Sequence, residues 1–197
     1  MRGFTEQEKQ TIYQGLIQKG RDLFSTLGLK KTSIKDLTEA VGIAQGSFYL
    51  FFQSKEELYF RILENEEESI KKELLKHISI PMTADDFTQF LLKGLELISE
   101  HVLIRRLYFE GELEFVVRKL PKEIVETHIK GDNDLLLPLL HGLGIGKGQE
   151  QIISGAIRAF FLMSLHKKEI GERDYDGTIV FLAKAISNQI FKDDKHD

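Results

Sequence analysis

The chain contains no cysteine and no tryptophan, and only three prolines among its 197 residues. Lack of cysteine excludes a disulfide framework, thiolate metal sites and cysteine nucleophiles. Pro81, Pro121 and Pro138 stand far apart, so long stretches escape the residue that interrupts helices by removing a backbone donor. No apolar run approaches the ~20 residues that a membrane-spanning helix requires. The opening MRGFTEQEKQ has no apolar signal core, and the expectation is a soluble, cytoplasmic protein without a membrane partner. Charge of one sign is also scarce. Residues 1–60 carry eight Lys/Arg against seven Asp/Glu, and the remainder 19 against 24, for a net charge of −4. A chain that bound polyanions without regard to sequence would be more basic. Any anion-binding surface must therefore be local, with Lys30, Lys31, Lys35 and Lys55 as its candidate footprint.

What is present is helical periodicity almost throughout, with no alternating strand pattern, internal repeat or low-complexity tract. The most informative stretch is 32–55, TSIKDLTEAVGIAQGSFYLFFQSK. Ser33 can cap a short helix by accepting an orphaned backbone N–H. Ile34, Leu37 and Val41 follow on one face. Gly42 stands where the chain must turn, because glycine tolerates the left-handed conformation. Ile43 fills the corner, and 44–52 restart a helix with Phe48 and Phe52 facing inward and Gln45, Ser47 and Tyr49 facing out. Ser54 and Glu57 fit a capping box that opens the next helix. Upstream, Leu16, Gly20, Leu23, Phe24 and Leu27 form an apolar stripe that can cover the pair, with Gly28 ending that helix. Two short helices joined by a tight glycine turn have the geometry that lays a recognition helix in a major groove. They also occur as a hairpin inside an ordinary bundle.

The stretch from about Ile12 to Leu63 resembles the DNA-binding domain of the TetR family of bacterial transcriptional regulators. The resemblance is carried by Leu23-Phe24, Gly28, Thr32-Ser33-Ile34, Leu37, Val41-Gly42-Ile43, Gly46-Ser47-Phe48-Tyr49, Phe52 and Ser54-Lys55-Glu56-Glu57-Leu58. It covers about the first third of the chain; the rest matches only in length and helical character. The resemblance implies that Thr32 and Ser33 meet backbone phosphates and that Gln45 and Ser47 reach base edges. It further implies that Gly46 admits close approach to DNA and that Tyr49 and Lys55 hold phosphates. Each has a plainer alternative: Ser33 as a cap only, Gly46 for packing only, Tyr49 as a shield for the core. Four positions depart from the family pattern. Gly20 and Thr38 stand where alanine is usual, and Leu50-Phe51 replace polar aromatic or histidine residues. Leucine cannot donate to phosphate, but it can contact a thymine methyl.

These patterns predict an all-α protein. Residues 1–54 would form a three-helix helix-turn-helix domain, 55–192 a larger helical domain for effector binding and dimerisation, and 193–197 a disordered tail. One long helix is expected over 55–77, and a second after Thr83 with Phe87, Phe90, Leu91 and Leu95 on one face. Residues 103–117 read as a short helix and a bend at Gly111. A helix starts at Pro121, and the 135–140 run is broken or kinked at Pro138. The last two helices, over 149–166 and 174–191, are apolar on more than one face, and burial on two sides suits a subunit contact. Ile157, Phe161, Leu182 and Ile186 are the interface residues expected there, although the same pattern fits the centre of a monomeric bundle. By resemblance, a homodimer would offer two readers to one pseudo-palindromic site in double-stranded DNA.

Phe90, Tyr108, Phe109, Phe115 and Phe160 are candidates for lining a pocket for a small hydrophobic effector. Arg105, Arg106 and His128 are candidate polar partners. Ordinary core packing and surface roles are the alternatives. The sequence suggests no catalytic residue, metal ligand or cofactor. The glycine-rich stretch 142–148 is one residue too short for a phosphate loop and has Gly148 where Ser or Thr should hold magnesium. It reads as a connector. The six histidines show no metal-binding spacing. The functional expectation is a homodimeric repressor released from its operator by a small ligand. A DNA-binding regulator without an effector, and a helical ligand-binding or scaffold protein without DNA binding, remain alternatives.

Overall fold

The computed structural model describes residues 3–192 apart from His77, Ser79, Glu110, Gly111, 145–147 and Leu165. Side chains at 108, 109, 113, 114, 125, 128–135 and 192 also lie outside the described set. That set is all-α. Its helices are α1 (Glu6–Leu27), α2 (Ile34–Val41), a 3-10 helix (Gln45–Leu50), α3 (Lys55–Leu75), α4 (Ala84–Glu100), α5 (Val102–Phe109), α6 (Glu112–Lys119), α7 (Lys122–Gly142), α8 (Glu150–Ser164), α9 (Lys167–Ile170) and α10 (Tyr175–Lys192). Among the described residues no helix is long and apolar enough to cross a membrane. The chain packs as two compact units. One contains residues 1–68 and 101–122, the other 69–100 and 123–197. The expected tail at 193–197 and the middle of the expected connector, 145–147, fall outside the described residues.

In the first unit, α1 is opened by a reciprocal capping box between Thr5 and Glu8. Leu16, Gly20 and Phe24, spaced by four residues, form its buried stripe. The stripe meets Leu37 of α2 and Leu58 and Ile62 of α3, all buried. Gly20 is where the helices come closest. A Cβ there would lie 3.1 Å from Ile62 and 3.2 Å from Leu58. That close approach is a physical reason for glycine at a position where alanine was the expectation. The ring of Phe24 meets that of Tyr59 edge-on at 5.0 Å. Tyr13 stacks on Phe52 at 5.2 Å, and Phe52 lies 5.9 Å from Phe48.

In the second unit α4 packs on α8 and α10. Thr83 caps α4 through a reciprocal pair with Asp86. Phe87, Phe90, Leu91 and Leu97 of α4, Ile157 and Phe160 of α8, and Ile179, Ala183 and Ile190 of α10 are buried. Gly94 leaves room for Phe161, whose ring lies 2.9 Å from where a glycine-94 Cβ would stand. The helix from Lys122 to Gly142 continues through Pro138 without the expected break. Pro138 lies close to its carboxyl end, where the missing N–H removes one bond from a helix already anchored by more than three turns.

Candidate nucleic-acid interface

The amino end of α2 is built by side chains close in sequence. Ser33 Oγ accepts from the Asp36 N–H at 3.1 Å. The Asp36 carboxylate accepts from the Ser33 N–H at 2.8 Å and from its hydroxyl at 2.6 Å. The Ser33 hydroxyl and then its backbone amide hold the Asp36 carboxyl below the usual carboxylate range. Gly42 ends α2 in the left-handed conformation, with φ +73°. Its N–H donates to Glu39 O at 3.2 Å, and that of Ile43 to Thr38 O at 3.0 Å. This closes the turn.

The segment after the turn is a 3-10 helix, Gln45–Leu50, in place of the expected α-helix. Ala44, at its start, makes no side-chain cap, and bonds such as Phe51 N–H to Phe48 O at 2.9 Å span three residues. Short, uncapped segments favour this tighter winding. Phe48 and Phe52 face inward, as the spacing predicts. Gln45 and Gly46 are exposed, Ser47 is half-buried, and Tyr49 is 60 % exposed with its ring edge-on to Phe48 at 5.7 Å. Lys30, Lys31 and Lys35 are exposed near this surface in sequence.

Two residues expected at phosphates are otherwise engaged. Thr32 is fully buried and its hydroxyl donates to Gly28 O at 2.9 Å, while its N–H donates to the same carbonyl at 3.2 Å. Its side chain is a brace inside the α1–α2 turn and is not presented to an anion. Lys55 Nζ donates to Leu29 O and Thr32 O at 2.7 Å each, with Lys30 O at 3.4 Å. An ammonium has three protons, and three carbonyls surround this one. Lys55 therefore fastens the turn to the start of α3, and the open end of α2 leaves the Ile34 and Lys35 amides as its helix-terminal donors.

The same turn is held from its other side by residues the sequence reading missed. Glu112, at the start of α6, is buried. Its carboxylate accepts from the Leu29 N–H at 3.3 Å and from the Tyr59 hydroxyl at 2.7 Å. Arg106, expected as a possible pocket residue, directs Nη2 to Thr26 O at 3.5 Å at the end of α1. Buried Glu66 pairs with both Arg21 and His101. A lone Glu or Arg on a surface-like helix carries no sequence signal for such contacts.

Phe90 and Phe160 are both buried in the second unit, and Phe115 is half-buried in the first. The side chains of Tyr108, Phe109 and His128 lie outside the described residues. Arg105 is exposed. An open groove of about 410 Å³ is lined by Arg173, Asp174, Gly177, Thr178 and Phe181, none of them among the expected pocket residues. Among the described residues no group of three or more His, Asp or Glu could hold a metal ion.

The residues expected at a subunit face differ in exposure within the chain. Ile157 is 1 % exposed within its own chain, and Phe161 is half-buried against Gly94. Leu182 and Ile186 are half-buried. The exposed apolar groups include Ile152, Ala156, Ala159, Leu162 and Met163 along α8, and Gly177, Val180, Phe181 and Ala185 along α10. Ile152 and Phe181 are 74 % and 71 % exposed. The apolar period marks the helices but not which of their apolar positions stay exposed.

A capped short helix, a left-handed glycine turn and an outward-facing second segment define a helix-turn-helix DNA-binding protein. Residues 16–62 match the model for bacterial regulatory proteins, tetR family. The chain carries a tetR-family helix-turn-helix over that segment, about a quarter of its length. It is similar to the uncharacterized HTH-type transcriptional regulator YfiR of Bacillus subtilis, 24 % identical over 166 residues covering 80 % of this chain and 78 % of the relative. It is 44 % identical over 59 residues to another such regulator of that bacterium, YvdT, covering 29 % of this chain and 30 % of the relative. The fold is similar to that of RolR solved with the ligand resorcinol, with TM-score 0.62 and 20 % identity over 93 % of this chain and 96 % of that one.

Proposed function

We propose that the chain is a homodimeric repressor that leaves a pseudo-palindromic operator when a small hydrophobic ligand binds. The observation that carries the DNA half is the outward face of Gln45, Gly46 and Tyr49, with Ser47 half-buried among them, on a segment whose Phe48 and Phe52 are fixed in the core. Gln45 and Ser47 read base edges, Gly46 admits close approach, and Tyr49 meets a phosphate. Ser33 orients α2 so that its terminal amides face the backbone.

Dimerisation is supported by the exposed apolar stripes of α8 and α10, centred on Ile152 and Phe181. A second copy of the same face covers them, as isologous association requires. Two readers then sit ~34–36 Å apart, one DNA turn. Residues 1–54 serve as the reader domain and 55–192, beginning with the 21 residues of α3, as the effector and dimer domain. The ligand releases DNA only to the extent that it favours one arrangement of the readers over the other. Its binding to a family-like fold is supported by analogy with RolR, which binds resorcinol.

The test is a gel shift with the DNA upstream of this chain's own gene, at rising salt, without and with small lipophilic compounds. The expected result is a salt-sensitive complex that one class of compound dissolves. A chain that binds this and random DNA equally would refute the operator; a specific complex unmoved by any compound would refute the effector.

A further inference from the structure

We propose that Leu50 is a specificity residue that reads the 5-methyl group of thymine in the operator, a proposal that rests on the DNA-binding reading above. Leu50 closes the 3-10 helix and is 68 % exposed. This exposure is selective. Of the apolar cluster at 48–52, Phe48 and Phe52 are buried, and Phe51 is half-buried with its ring 6.4 Å from Phe4. Leu50 is turned away from the aromatic core that takes its neighbours. It follows Tyr49, itself exposed, in the segment whose first residues, Gln45 and Gly46, are exposed too. Four residues back, Gly46 has no atom within 4 Å of where a Cβ would lie. The start of the reader is therefore open around Gly46.

An isobutyl group neither donates nor accepts a hydrogen bond, so it cannot hold a phosphate or pair with the polar edge of a base. The major-groove feature it complements is the thymine methyl, the apolar group among the base-edge signals. Contact between the two removes both from water. Loss of one buried methyl corresponds to about 0.8 kcal/mol, or about a fourfold change in affinity at each half-site.

The experiment begins with a randomised duplex pool, from which the full-length protein selects its tightest sequence. Thymines of that duplex are then replaced one at a time by deoxyuridine, which removes the methyl and keeps the pairing edge. The expected result is one thymine per half-site at which deoxyuridine weakens binding about fourfold. Leu50→Ala binds the thymine duplex more weakly and shows no further loss on the deoxyuridine duplex. Leu50→Met, which retains an aliphatic tip, keeps the difference. The proposal is overturned if no thymine methyl affects the native protein, or if its removal weakens native and Leu50→Ala proteins equally. It is also overturned if Leu50→Ala changes the oligomeric state while leaving DNA affinity intact, because Leu50 then contacts another copy. Selection of no preferred sequence by the native protein would overturn the operator reading and this proposal together; a preferred sequence without methyl dependence overturns only the latter.

Discussion

Lys55→Met separates two roles for one charge. The substitution keeps the aliphatic stem that lies along the protein and removes the ammonium. In the structure that ammonium joins Leu29 O and Thr32 O, each at 2.7 Å, to the first turn of α3, with Lys30 O farther off. Hydrogen bonds to charged groups contribute about 1.5–3 kcal/mol net, and carbonyls left without partners in the turn add to the loss. A total in the upper part of that range, about 2–3 kcal/mol, is expected, since the orphaned carbonyls add to the loss while water compensates part of it at the half-buried Lys55. For a chain of this length that is a fall in Tm of about 4–12 °C. Calorimetry reads the stability, and fluorescence anisotropy of a labelled operator across a salt series reads the DNA side. If Lys55 fastens the turn, the melting temperature falls and the slope of log affinity against log salt is preserved. A phosphate contact gives the opposite: removing one reduces the slope by about one, with little effect on melting. An unchanged melting temperature with a reduced slope would refute the structural role.

Three further outcomes follow from the same packing. Glu112→Ala leaves the Leu29 N–H and the Tyr59 hydroxyl without their shared acceptor; a loss of about 2–4 kcal/mol is expected in denaturant unfolding, and Tyr59→Phe should be non-additive with it in a double-mutant cycle. Gly20→Ala gains about 1 kcal/mol of helix propensity but forces a methyl against buried Ile62 and Leu58 at 3.1–3.2 Å. A net lower Tm is expected; a higher one would show that α1 and α3 have slack. Phe181→Glu places a charge on the exposed face of α10, and sedimentation should report monomer with unchanged helicity, whereas an intact dimer would locate the subunit contact elsewhere.

The local features of the reader were legible in the sequence because their causes are local. Ser33 with Asp36, Gly42 after Val41, and Phe48 with Phe52 each act over a few residues, and the structure builds them as spacing predicts. The 3-10 winding of Gln45–Leu50 was not legible, because six uncapped residues sit near the balance between two helical forms. Long-range partners were hidden for a different reason. Lys55 reaches carbonyls more than 20 residues upstream, and Leu29 meets a carboxylate 83 residues away. Nothing in the neighbourhood of either residue marks a buried polar contact. The grouping of 101–122 with residues 1–68 has the same origin, because Glu112 and Arg106 make their contacts with the α1–α2 region through space. On α8 and α10 the apolar period was visible, but not that Ile157 is buried while Ile152 on the same helix is exposed.

The absence of cysteine offers a direct test of the outward reader, because one introduced thiol is then unique in the chain. Gln45→Cys is labelled with a maleimide in the free protein and at a saturating concentration of selected duplex, beside Glu172→Cys, exposed ahead of α10, as the reference. If the segment enters the groove, DNA suppresses labelling at position 45 and leaves the rate at 172 unchanged. Equal labelling of position 45 with and without bound duplex would contradict it.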